Sequence, residues 1–62
     1  MKKPICKLVG EDGNIYNLIA LTSRVLRKAG QEDNAIEMKN RIYESKSYDE
    51  ALCIIMDYVE VE

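Results

Sequence analysis

Apolar and polar positions alternate from Ile5 to Val9, with Cys6 and Leu8 on one side and Ile5, Lys7 and Val9 on the other. That period of two predicts a short strand. Gly10-Glu11-Asp12-Gly13-Asn14 then predicts a turn, because Asp-Gly and Gly-Asn steps supply positions that tolerate positive φ. Asn14 is a good helix N-cap. Behind it Ile15, Leu18, Ile19, Val25, Leu26 and Ala29, with Thr22 filling the gap, follow the 3.6-residue period of an amphipathic helix. Arg27 and Lys28 fall in its last turn, where cations suit the dipole, and Gly30 is a natural stop. A second helix is predicted from about Glu32 to Glu44. Its stripe is narrower (Ala35, Met38, Ile42), and Glu37 and Arg41 stand four apart in the favourable order. Ser47-Tyr48-Asp49-Glu50 fits a capping box and opens a third helix. Tyr48, Ala51, Leu52, Ile55, Met56 and Val59 form its apolar face. Cys53 and Ile54 widen that face, which predicts burial on more than one side. From Val59 to Glu62 the period returns to two, as in a half-buried strand.

Two strands bracketing three helices give a single α+β domain over residues 1–62, ordered β-α-α-α-β, with the two strands paired. A lone two-stranded ribbon is marginal in water. Two subunits joining their ribbons edge to edge would make a four-stranded sheet and cover exposed edges, so a homodimer is expected.

Size leads to the same expectation. A chain of 62 residues buries only about 60% of the surface it exposes when unfolded, and small domains usually need a staple. With no histidine and two cysteines, Cys6 and Cys53, a structural zinc lacks ligands. No apolar run has the length of a signal peptide or a membrane span. A cytoplasmic setting follows, with reduced cysteines that serve mainly in packing. The net charge of −2 argues against a general nucleic-acid coat, which needs a basic surface. The apolar content is too high for a disordered tail.

Candidate chemistry is sparse. Asn17, Arg24, Arg27 and Lys28 share the side of helix 1 opposite its apolar stripe. Two arginines there can grip phosphate or carboxylate bidentately; the plain reading is a solvated face. The glycine turn before helix 1 is no Walker or dinucleotide motif, and Glu11 and Asp12 oppose an anion beside it. Tyrosine suits interfaces, yet a domain without Trp or Phe also needs tyrosines at its core edge. At least half of the four are expected there, and Tyr16, off the best stripe, is the one expected to face a partner. The acidic residues near the C-terminal end follow no calcium-loop pattern. Without histidine neither a Ser-His-Asp triad nor a Cys-His pair can form, so no enzyme, cofactor or metal is expected.

Lys7-Leu8 before Asp12-Gly13-Asn14, Leu18-Ile19, Arg24-Val25-Leu26-Arg27-Lys28-Ala29-Gly30, Ser47-Tyr48-Asp49-Glu50 and Tyr58-Val59-Glu60-Val61 resemble a family of short proteins. That family is encoded by bacteriophages and mobile elements, many in Gram-positive bacteria. The resemblance implies an accessory protein of the bacterial cytoplasm and carries no ligand or functional residue with it. By analogy with small phage proteins, the expected function is a binding module that inhibits a host protein, often one of a defence system. Tyr16, Asn17, Arg24, Arg27 and Lys28 would be its binding face. The alternatives are a sponge for a signalling nucleotide and a nucleic-acid-associated regulator.

Overall fold

A computed structural model describes residues 3–62; Met1 and Lys2, which begin the basic N-terminal run, lie outside it. Strand β1 (Ile5–Cys6) is followed by helices α1 (Ile15–Lys28), α2 (Glu32–Tyr43) and α3 (Tyr48–Tyr58), and the described order closes on strand β2 (Glu60–Val61). This is the expected β-α-α-α-β arrangement. The strands run parallel, with Ile5 opposite Glu60 and Cys6 opposite Val61. Glu60 donates its N–H to the Pro4 carbonyl at 2.9 Å, and Glu62 donates to that of Cys6 at 2.9 Å.

Both strands are shorter than the alternation predicts. The N–H groups of Leu8 and Val9 converge on a single acceptor, the Glu62 carbonyl, at 2.7 and 2.8 Å. Two residues opposing one end the regular ladder there, as a bulge does. The predicted sidedness holds nonetheless: Cys6 is buried, Leu8 half-buried, and Ile5, Lys7 and Val9 are exposed.

Caps set the helix boundaries. Asn14 Oδ1 accepts from the Tyr16 N–H at 2.9 Å, and Ser47 Oγ accepts from the Glu50 N–H at 3.1 Å. At the end of α1 the chain turns through Gly30 at φ +77°. Gln31 N–H reaches the Leu26 carbonyl at 2.8 Å and Gly30 N–H that of Arg27 at 3.1 Å, the paired bonds of a Schellman motif. Ala29 is therefore an exposed cap residue and not part of the buried stripe.

The core is one cluster to which every element except β2 contributes, with Val59, the residue that ends α3, closing it beneath the sheet. Leu26 of α1, Met38 of α2 and Ile55 of α3 are each 0% exposed. Two corrections to the sequence reading arise here. Ser23, outside the predicted stripe, is buried on α1 at 1% exposure. Helix α3 buries one face only: Ala51, Ile54 and Ile55 are inside, whereas Met56 is half-exposed and Cys53 exposed. Its apolar residues surround the helix too widely for periodicity to choose a side. Packing against both α1 and α2 selects the stripe 51, 54, 55. Cys6 is buried and Cys53 is exposed, and both are free, so only Cys6 is a packing residue.

Candidate functional site

Every acid of the chain lies outside α1, which carries Arg24, Arg27 and Lys28 and no negative charge. All three cations are exposed, and none has an ion-pair or hydrogen-bond partner among the described residues. Tyr16, Ala20, Arg24 and Arg27 succeed one another at helical spacing along the exposed side. At about 1.5 Å per residue the row from Tyr16 to Arg27 is about 16 Å long. Asn17 does not join it. It is half-buried, and its Nδ2 donates to the Asp12 carbonyl at 2.9 Å, so it holds the turn before α1 instead of facing a partner.

The tyrosines also depart from the expected division. Tyr16, Tyr43 and Tyr48 are 71%, 66% and 46% exposed, and only Tyr58 is half-buried. The three exposed rings stand around a recess of about 290 Å³ where the start of α1, the end of α2 and the start of α3 converge. Ile15, Ile19, Ile42 and Ala51 form its apolar floor. Tyr48 is fixed there because its hydroxyl donates to the Gly13 carbonyl. A Cβ at Gly13 would lie 3.3 Å from that hydroxyl, so the turn leaves little room for any other residue. Tyr43 was open to sequence reasoning, since it sits beside the stripe Ala35, Met38, Ile42. The placement of Tyr48 was not, because its partner is 35 positions away.

A separate polar cluster ties α2 to α3. Tyr58 donates its hydroxyl to Glu37 Oε1 at 2.8 Å and accepts from Arg41 Nη1 at 3.2 Å. Arg41 Nη2 reaches Asp57 Oδ2 at 3.0 Å, and the guanidinium lies 5.6 Å from the Tyr58 ring centre. Glu37 and Arg41 thus meet through Tyr58, not as the simple pair their spacing suggests. Hydrogen bonding to Tyr58 and then to Asp57 holds the Arg41 pKa above its ordinary value. Desolvation, opposed by the bond from Arg41 and reinforced by that to Glu37, pushes the Tyr58 hydroxyl above the usual tyrosine range. A raised pKa in the folded state stabilises fully below the unfolded value and is lost as pH climbs through the folded one. Urea midpoints should therefore fall more steeply above about pH 10 for the natural chain than for Tyr58→Phe. Parallel curves would show that the hydroxyl carries no such linkage.

No helix among the described residues is long and apolar enough to cross a membrane. The recess and the cationic row are surface features with recognisable binding chemistry. Comparison with protein-family models, curated proteins and solved structures gives no match. The chemical case for this site therefore rests on its own geometry: an apolar recess rimmed by aromatic rings, continuous along one helix with three unpaired cations.

Proposed function

We propose that this chain is a non-enzymatic binding module that docks on an acidic surface of another protein and blocks it. The observation that carries the reading is the ring of three exposed tyrosines around an apolar recess beside the cations of α1. Tyrosine and arginine are the side chains that dominate protein interfaces, tyrosine because it offers apolar area with a polar tip. A row of about 16 Å matches about five residues of extended peptide at about 3.3 Å each. An apolar side chain of the partner would enter the recess while its carboxylates meet Arg24 and Arg27. The resemblance to short phage and mobile-element proteins gives the direction: the partner is a host protein in the bacterial cytoplasm, and the effect is inhibition.

The test is a comparative capture from bacterial extract using the natural chain, Tyr16→Ala and the double charge reversal Arg24→Glu/Arg27→Glu. Truncating an aromatic at the centre of an interface costs about 1–2 kcal/mol, so Tyr16→Ala should weaken the captured partner about tenfold. Charge reversal should remove it. A partner held equally by all three proteins would overturn the assignment of the face. Loss of binding with a steep salt dependence would point instead to phosphate contacts of a nucleic acid. Extra mass of nucleotide size on the purified protein in native mass spectrometry would replace the inhibitor with a nucleotide sponge.

A further inference from the structure

The ladder between β1 and β2 leaves a specific set of backbone groups unused. Pro4 and Cys6 direct their carbonyls at β2, so Ile5 and Lys7 direct both N–H and C=O the opposite way, to the open side of β1. No hydrogen bond of the described residues returns to either of them. Ile5 on this strand is 57% exposed, and Val9, in the turn that follows, is 73% exposed. An unpaired edge of this kind is a template for another strand.

We propose that a second copy of this chain occupies that edge. Around a two-fold axis at Cys6 the two β1 strands run antiparallel, and Ile5 of each copy stands opposite Lys7 of the other. In this register Ile5 and Lys7 of the second copy exchange both N–H···O bonds, and symmetry repeats the exchange, so all the unused groups are satisfied. Cys6 faces Cys6 of the second copy as a non-hydrogen-bonded pair, on the core side of a sheet ordered β2-β1-β1-β2. The two-stranded ribbon, marginal alone, becomes a four-stranded sheet.

Charge selects β1 over β2 for this contact. The open edge of β2 offers the N–H and C=O of Val61, but antiparallel self-pairing there would set Glu60 opposite Glu62 of the second copy. Like charges directly opposed destabilise a sheet, and symmetry would repeat the opposition. Across β1 the lysine meets an isoleucine. Pairing β1 with β2 of the next copy would be head-to-tail, giving a ring or an open filament instead of a two-fold pair. The recess and the cations of α1 take no part in this contact, which is independent of the partner proposed above.

Sedimentation velocity over a range of concentrations tests it, with Lys7→Pro as the first variant. Proline is accepted on an edge strand where the N–H faces solvent, and the Lys7 N–H has no acceptor among the described residues. The natural chain should sediment as a dimer and Lys7→Pro as a monomer with unchanged helical circular dichroism. Should Lys7→Pro fail to fold, substitutions at exposed Ile5 decide the register. Ile5→Lys sets two lysines against each other, whereas Ile5→Glu sets a carboxylate against Lys7 of the second copy. Their dimer dissociation constants should differ on the order of tenfold, Ile5→Glu being the tighter. A natural chain monomeric at every concentration overturns the proposal. So does a folded Lys7→Pro that stays dimeric, equal constants for the two Ile5 variants, or a mass that grows with concentration beyond two chains.

Discussion

Leu26→Ala should leave the chain mostly unfolded at room temperature. Leu26 is 0% exposed and belongs to the same cluster as Met38 and Ile55, one side chain from each helix and all fully buried. Removing a buried leucine to its Cβ forfeits the transfer free energy of the lost atoms and leaves a cavity, together about 2–5 kcal/mol. A single core in a domain of this size rarely supplies more than about 3–5 kcal/mol. The loss is therefore comparable with the whole. Leu21→Ala is the control: it lies on the same helix, is only half-buried and stands outside the core cluster. Alanine is also the better helix former, so the net change there should stay within about 0.5 kcal/mol. Far-UV circular dichroism and urea titration at low protein concentration separate the two, dilution keeping any self-association from masking the loss. A cooperative Leu26→Ala transition within 1 kcal/mol of the natural chain, on the order of experimental error plus relaxation, would place the centre of the core elsewhere.

Ser23→Ala should act in the opposite direction. The Ser23 hydroxyl is buried and has no hydrogen-bond partner among the described residues. By mutational evidence an unsatisfied buried hydroxyl costs about 1–3 kcal/mol. Alanine removes that penalty, leaves almost the same volume and adds helix propensity at mid-helix. A gain of about 1 kcal/mol raises the melting temperature of a domain this small by roughly 4–8 °C. Thr22, beside it and equally buried, gives the contrast. Its Oγ1 lies 3.8 Å from Cys6 Sγ, a weak partner that nonetheless links α1 to β1. A fall in melting temperature for Ser23→Ala would mean that the hydroxyl bonds to a carbonyl of the preceding turn.

These residues also mark what the sequence could and could not tell. Asn14, Ser47 and Gly30 fixed helix boundaries because a cap is a local interaction, complete within a few residues of the chain. Strand identity was legible for the same reason, in the two-residue alternations around Cys6 and Val61. Strand length was not, since it ends where Leu8 and Val9 share the Glu62 carbonyl across the sheet. The inward face of α3 was ambiguous because Cys53, Ile54 and Met56 are all apolar, and only the positions of α1 and α2 decide among them. For the site, Tyr16, Arg24, Arg27 and Lys28 lie on the exposed face that helical phase assigns to them. Asn17 has the same phase, yet the preceding turn captures its side chain through the Asp12 carbonyl. Ser23 is polar and lies outside the apolar periodicity of α1, yet it is buried at 1% exposure.

The parallel ribbon joins Ile5 to Glu60, positions 55 apart in the chain. Closing a flexible loop of that length costs about (3/2)RT ln n, on the order of 3–4 kcal/mol before any constant term. The four backbone hydrogen bonds from Glu60, Glu62, Leu8 and Val9, each contributing about 1 kcal/mol net, do little more than offset it. The helices instead form through near-neighbour contacts and deliver the two ends to each other. The two strands are therefore expected to meet late, and β1 is held as a formed, open-edged strand only in chains whose helices have already packed. Self-recognition through that edge would act as a maturity check, withheld from nascent and half-folded copies, whose strands would otherwise be free to aggregate.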